Sequence, residues 1–504
     1  MFILNSLTLF TKKVKYILVL CLIPVYFVLE ANNQYWGLVP VWSSIRIALI
    51  ILASISTAFF VTKFFVNAEK SIMIIFWFSF HYLFFWVIYK AITSIHFFSF
   101  FSQYKFYLPF LFLISVAYVF YISKAKDGRL AKMTSYTTLL LMILVFLELY
   151  KSMQNRNSDT KTTVACTESV KLGPGTLTEK PDVFLIVMDE YAGFKTLMEQ
   201  YKFSNIEFSG KLESNGFFVT KAPSSNYNGT LFSTLSLLNM AYLDTSTIGD
   251  LTSAKAYART AKSIEGNTLF RFFQDNGYKT INNSFLRIDK TDGKPFLFLP
   301  VEDRLILDKT FGHILKGNLL LNLPFNGLQS IAGTTYAQYN SYNARVIKNM
   351  NRIVSDTTDK NLFVYTHLMI PHSPYLNTED GKQRKFSDAY NEFKSKKYRE
   401  SYLPYLKYCN QIVTAMIDSV QAHRKKSVIV LVSDHGNRFY GYDRNLERDF
   451  CNFIAVYSAD KNYEGFTDTV SLVNVFRLVL NNQFKQKLTI LPNYQINVTK
   501  GVLN

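Results

Sequence analysis

The stretch VIVLVSDHG, residues 428–436, is a run of β-branched and aliphatic residues that halts at Ser433, Asp434, His435 and Gly436. An apolar run with no polar alternation fits a central strand of a parallel sheet covered on both faces. In such sheets ligands are met at the carboxyl ends of the strands. Asp434 and His435 therefore stand either where a metal ion or substrate is bound, or in an ordinary polar turn.

Two further stretches repeat the form. PDVFLIVMDE (181–190) runs from Pro181 through an apolar strand into Asp189 and Glu190, and NLFVYTHLMIPHSPY (361–375) runs a strand into His367 and His372. Three apolar strands ending in metal-ligand residue types make a much rarer pattern than one. Helices alternate with them. Leu403, Leu406, Cys409, Ile412, Val413, Met416, Ile417 and Val420 keep a three-to-four spacing, predicting an amphipathic helix that feeds the strand at 427–433. FIAVYS (453–458) adds another strand. The alternation predicts a mostly parallel central sheet with helices on both faces.

SSNYNGTLFSTLSLLNM (224–240) turns at Asn226–Gly229 and then sets Leu231, Leu235 and Leu238 on one helix face. Thr230 falls at the helix N-terminus, where free N–H groups and the dipole favour a phosphoryl group. Its hydroxyl is a weak nucleophile unless a metal lowers its pKa. The competing role is that of a simple N-cap.

The N-terminal third has a different composition. Apolar stretches near 14–30, 42–62, 72–89, 106–123 and 134–150 each approach the ~20 residues a helix needs to cross a bilayer. Lys12, Lys13 and Lys15 precede the first, but no small-residue cleavage site follows it, so it reads as a retained span. Lysines and arginines crowd the N-terminus and the second and fourth loops, whereas the first loop, ANNQYWGLVPVW, has none. By the positive-inside rule those basic segments are cytoplasmic, and five crossings put everything after Lys151 outside. Residues 1–151 are thus expected to form a transmembrane helical domain, 152–180 a polar linker, and 181–504 an extracytoplasmic domain.

The net charge of +18 divides evenly, +9 on residues 1–151 and +9 on the rest. The outer share favours anionic lipid head groups and phosphate-bearing substrates, and a nucleic-acid partner does not suit an outward-facing domain. The four cysteines make no metal-binding spacing; Cys409 and Cys451 are a candidate pair in an oxidising compartment, but two residues do not make a disulfide framework.

Taken in order, PDVFLIVMDE, NYNGTLFSTLSLLNM, HLMIPHSPY and LVSDHG resemble the motifs of the alkaline-phosphatase/sulfatase superfamily. More narrowly they resemble its membrane-anchored branch, the lipoteichoic acid synthases and lipid A phosphoethanolamine transferases, which also carry five spans ahead of an outward catalytic domain. The resemblance implies a bundle of about five transmembrane helices followed by an α/β alkaline-phosphatase-like domain. It implies that Asp189 is an acidic metal ligand, that Glu190 matches a second acid found in sulfatases, and that Asp434 and His435 are a metal-binding pair. Thr230 then matches the nucleophile, itself in contact with the metal, with Zn²⁺ or Mn²⁺ as the ion. His372 matches a histidine near the transferred group or leaving oxygen, and His367 a second substrate contact. Glu190 has a salt bridge as its alternative role, His367 a structural hydrogen bond, and Asn437 and Arg438 stand between phosphate contact and structure.

One departure narrows the chemistry. Sulfatases carry a Cys or Ser, converted to formylglycine, with Pro and Arg two and four positions later; here Thr230, Phe232 and Thr234 occupy those positions. The resemblance therefore implies transfer of a phospholipid head group, such as phosphoethanolamine, through a threonine intermediate to an envelope glycan or lipid acceptor. The site would lie on the periplasmic side of a bacterial inner membrane. A phosphodiesterase or other hydrolase, and a non-catalytic membrane-tethered binding protein, are the alternatives.

Overall fold

The computed structural model describes residues 2–157, 162–174, 180–288, 301–315, 326–394, 398–438 and 446–498. It divides into two compact units: Met1–Lys161 with Leu299–Leu323, and Thr162–Phe298 with Pro324–Asn504.

The larger unit is built on a six-stranded sheet. Its strands are β1 (Asp182–Met188), β2 (Phe218–Val219), β3 (Lys279–Asn283), β4 (Leu362–Leu368), β5 (Ser427–Ser433) and β6 (Ile454–Ser458). They lie side by side in the order β2-β6-β5-β1-β4-β3. The three at the centre, β5, β1 and β4, are the ones expected from their apolar runs. β1 pairs parallel with both β4 and β5, and β3 extends the parallel part. β6 and β2 complete the sheet antiparallel, so it is mixed but mostly parallel.

Every residue of β4 and β5 is buried, which explains why their sequences show no alternation. The two faces still divide the side chains. Val183, Leu185 and Val187 join one core with the helices Thr230–Asn239 and Leu472–Phe484. Phe184, Ile186 and Met188 join the other with Leu406, Cys409, Val413 and Ile417 of the helix Tyr398–His423. Each such side chain contributes roughly 1.5–3 kcal/mol relative to exposure, so the central strands are rigid mounts for whatever follows them.

The expected linker is shorter and less free than 152–180. The last helix of the N-terminal part, Asp127–Asn157, runs past Lys151. From Thr162 the chain is already pinned to the larger unit: Val164 is buried in its core, Cys166 bridges Leu243, and Glu168 pairs with Arg477. Residues 158–161 and 175–179 of that stretch lie outside the described residues.

In the smaller unit four helices are long and apolar enough to cross a membrane, at Val14–Gln34, Val41–Lys63, Tyr104–Lys124 and Asp127–Arg156. The expected span at 72–89 differs. It is two helices, Ala68–Leu83 and Phe85–Thr93, bent by 74°, and only counting the pair as one span retains five. The bend takes the Trp86 N–H out of its helical register, and it donates instead to the Lys309 carbonyl at 3.0 Å. Non-helical backbone at such a place persists only when its polar groups are re-satisfied.

That partner comes from a segment assigned by sequence to the 181–504 domain. Residues 301–314 instead belong to the smaller unit. Asp303, 1% exposed, pairs with Arg46 at 2.5 Å; the Tyr35 hydroxyl donates to Asp308 at 2.5 Å; and Lys309 pairs with Glu30 at 2.7 Å. Ile306 is buried in the same apolar core.

Candidate metal centre

Parallel pairing brings three strand ends level. Val187 lies opposite His367 on one side and Val432 on the other, and Met188 lies opposite Ser433. Asp189 and Asp434 therefore leave neighbouring strands side by side. Glu190 turns the chain away with a left-handed backbone, φ 62°, a conformation costing a non-glycine residue roughly 1–2 kcal/mol. Its N–H is fixed there by donating to Asp434 Oδ1 at 3.1 Å. Gly436 is required by crowding: a Cβ on it would sit 2.2 Å from the Arg448 carbonyl oxygen and 2.6 Å from that of Cys451. The glycine lets the chain after His435 turn directly under the 448–451 backbone.

Thr230 opens the helix Thr230–Asn239, and Gly229 rather than Thr230 is its N-cap, with no side-chain cap bond. The threonine hydroxyl is thereby left to other work. It lies 3.3 Å from His435 Nε2. His435 Nδ1–H donates to the Gly436 carbonyl at 2.8 Å, which leaves Nε2 with its lone pair facing Thr230. The expected stripe of Leu231, Leu235 and Leu238 understates the helix: Phe232 and Leu237 are buried as well.

Asp189, Asp434 and His435 each offer a ligand atom, and these atoms lie within 4.8 Å of one another. All three are at most 1% exposed. Asp189 Oδ1 and Asp434 Oδ2 are buried without a hydrogen-bond partner among the described residues. Burial of two adjacent carboxylates with orphaned oxygens is costly unless a cation offsets it. Burial and the nearby Asp189 charge push the Asp434 carboxyl up to about 6. Burial, aided by Arg438, pushes His435 down to about 4, keeping its ring neutral. Burial works to raise Asp189 too, but the His372 and His367 rings outweigh it and hold that carboxyl well below its usual range. An ionised carboxylate, a neutral imidazole and mixed O/N donors fit a divalent ion such as Zn²⁺ or Mn²⁺.

Glu190 falls outside that trio. Its Oε1 accepts from the Arg438 backbone N–H at 2.9 Å and faces the Arg438 guanidinium at 3.5 Å, while its Oε2 faces His372 Nε2 at 3.7 Å. His372 Nδ1–H donates to the Ser373 carbonyl at 2.5 Å, which aims Nε2 at the site. His367 places Nε2 3.6 Å from Asp189 Oδ2. Its Nδ1 shares a 2.8 Å hydrogen bond with the Tyr365 hydroxyl, a partner unnoticed in the sequence although its position two residues earlier on one strand puts it on the same face. Arg438 sits on Glu190, and Asn437 is buried, accepting from the Tyr201 hydroxyl at 2.9 Å. Cys409 and Cys451 are both free.

Residues 181–468 match the sulfatase family model. The chain is similar to the zinc complex of the C-terminal periplasmic domain of EcEptC from Escherichia coli, at 13% identity, 64% of this chain, 87% of that one and TM-score 0.38. It is similar to the soluble domain of lipooligosaccharide phosphoethanolamine transferase A from Neisseria meningitidis, at 13% identity, 64% and 91% coverage and TM-score 0.36. The integral membrane form of that transferase matches at 11% identity over 92% of this chain and 95% of that one, with TM-score 0.36. Comparison with curated proteins finds no significant match. With the family model spanning more than half of its residues, from the strand that carries Asp189 past the one that carries Asp434, this chain belongs to the sulfatase family.

Proposed function

We propose that the protein is a membrane-bound, metal-dependent phosphotransferase that moves a phospholipid head group, such as phosphoethanolamine, to an envelope glycan or lipid acceptor by way of Thr230. The single observation that carries this reading is the placement of the Thr230 hydroxyl 3.3 Å from His435 Nε2, at the N-terminus of a buried helix and beside the orphaned carboxylates. A divalent ion held by Asp189, Asp434, His435 and the Thr230 oxygen would lower the pKa of that hydroxyl and neutralise phosphoryl charge.

The chain's own groups then divide the work. Thr230 Oγ, already deprotonated to the alkoxide with its proton lost to solvent, forms the bond to phosphorus as the bond from phosphorus to the diacylglycerol oxygen breaks. Free N–H groups of the first helical turn hold phosphoryl oxygens. His372, aimed by the Ser373 carbonyl and backed by Glu190, gives a proton to the departing oxygen. In the second half the acceptor hydroxyl returns a proton to His372, attacks the phosphothreonine, and Thr230 leaves. Glu190 acts here as a brace joining Arg438 to His372.

The same centre with water as acceptor is a hydrolase, and the products separate the two. Full-length protein in detergent is incubated with head-group-labelled phospholipid, and intact mass and products are read. Label on Thr230 that moves to an added acceptor supports transfer. Free head group with no labelled acceptor overturns it. The basic N-terminus and loops support a bacterial inner-membrane location with the site outside, which protease accessibility in spheroplasts tests.

A further inference from the structure

A hollow of about 560 Å³ lies in the larger unit between the helices Asn326–Ser355 and Tyr398–His423 and the chain at 377–383. Its size falls in the range of small-molecule sites. We propose that this hollow binds a carbohydrate, and that, on the transferase reading above, it seats the sugar of the acceptor.

The lining chemistry is selective. Asn340, Asn343, Asn351, Asn377 and Gln383 bring five carboxamides to the hollow, and Tyr408 brings an aromatic ring. A carboxamide offers donor and acceptor together without charge, as a sugar hydroxyl does, so the two pair in either direction. The aromatic face suits the C–H face of a pyranose. Among the described residues no carboxylate lines the hollow, which disfavours a metal ion or an amine. Lys348 is the one cation among them, too little for a polyphosphate.

One of these side chains points to a missing partner. Asn343 is only 5% exposed; its Oδ1 accepts from the Met369 N–H at 2.9 Å, and its Nδ2 has no acceptor among the described residues. Asn340 Nδ2 is in the same condition. Buried amide donors are nearly always paired, and a hydroxyl oxygen brought to this wall supplies the acceptor.

The opposite wall is preformed. Asn377 and Gln383 bridge antiparallel, and Asn377 Nδ2 donates to the Gly381 carbonyl at 3.1 Å. Gly381, at φ +78°, packs so closely on Tyr408 that a Cβ would lie 2.9 Å from the ring. Asn377 also borders a neighbouring hollow of about 380 Å³, which accommodates an acceptor longer than one ring.

Position ties the hollow to the chemistry. Ile370 lines it and precedes His372 by two residues, at most about 7 Å of chain. Asn343, which holds the Met369 N–H, anchors the same connection.

The test uses full-length Thr230→Ala protein in a zwitterionic detergent without a sugar head group, so that no turnover occurs. Chitobiose and maltose are the probes, read by saturation-transfer NMR. The expected result is binding of at least one disaccharide, equal in wild type and Thr230→Ala, and weakened at least about tenfold by Asn343→Leu and by Asn351→Leu. Asn351 is exposed, so its variant keeps the fold even where Asn343→Leu disturbs it; unchanged melting temperatures verify this. No binding at millimolar sugar, or binding that Asn351→Leu and Asn343→Leu both leave intact, overturns the proposal. Label on Thr230 without sugar binding removes this site and leaves the transferase. Sugar binding without label does the reverse.

Discussion

Asp189, Asp434 and His435 are at most 1% exposed, whereas the His372 side chain, facing an equally buried Glu190, is 19% exposed. The two groups stand on neighbouring strand ends, yet solvent treats them differently. In the interior trio, oxygens without partners among the described residues and a carboxyl pushed up to about 6 register a charge problem that water cannot relieve; a cation can. Beside the trio, Glu190 is engaged through Oε1 by Arg438 while its Oε2, without a hydrogen-bond partner among the described residues, faces His372, which keeps a path to solvent, as a group that gives and takes protons needs. The difference teaches that holding an ion and moving a proton are separable here, and mutations should separate them.

The largest effect belongs to the atom both groups serve. Thr230→Ala is expected to lower turnover by roughly 10³-fold or more, with loss of the labelled adduct in the intact mass. Asp434→Asn or His435→Ala should weaken zinc binding by more than about 100-fold, since even outer-shell partners are worth 10–100-fold; calorimetric titration of the metal-stripped protein reads it. His372→Gln should cost about 100-fold in turnover while zinc affinity changes little. Equal loss of zinc in His372→Gln would erase the distinction between the trio and the Glu190–His372 pair.

Acid probes the trio more gently. Without the ion, Asp434 titrates above an exposed carboxyl, so its contribution to stability is complete below about 4 and is lost as pH rises through about 6. Zinc needs the carboxylate, so its affinity should fall about tenfold per unit below pH 6, and the rise in melting temperature on adding zinc should shrink accordingly. A flat response between pH 5 and 7 would show that Asp434 does not titrate in that range. The smallest effect is expected from Tyr365→Phe. It removes one hydrogen bond to His367, worth about 0.5–1.5 kcal/mol, and should lower the melting temperature slightly with no more than a tenfold change in turnover.

Much of this centre is legible in the residues alone. VIVLVS and VFLIVM read as covered strands because burial on both faces removes polar residues from the run itself. The residues just beyond each run then have to be its carboxyl end. Glu190 is harder. Beside Asp189 it reads as a second ligand, but a left-handed turn at that residue swings its side chain toward Arg438 and His372. Nothing in the residue type announces such a turn. Residues 301–314 are misassigned for a related reason: a short stretch of mixed charge and aliphatics has no periodicity that tells which of two cores it joins.

By itself, then, the sequence determined the membrane-length helices, the three covered strands, the residue types at their ends and the threonine opening a helix. Each is a local consequence of hydrophobic run length, periodicity or a turn. Tertiary structure alone decided that β1 lies between β4 and β5, that the 72–89 stretch bends at Phe84, and that Arg438 braces Glu190. Those outcomes depend on which surfaces bury one another across hundreds of residues, and no window of neighbouring residues contains that information.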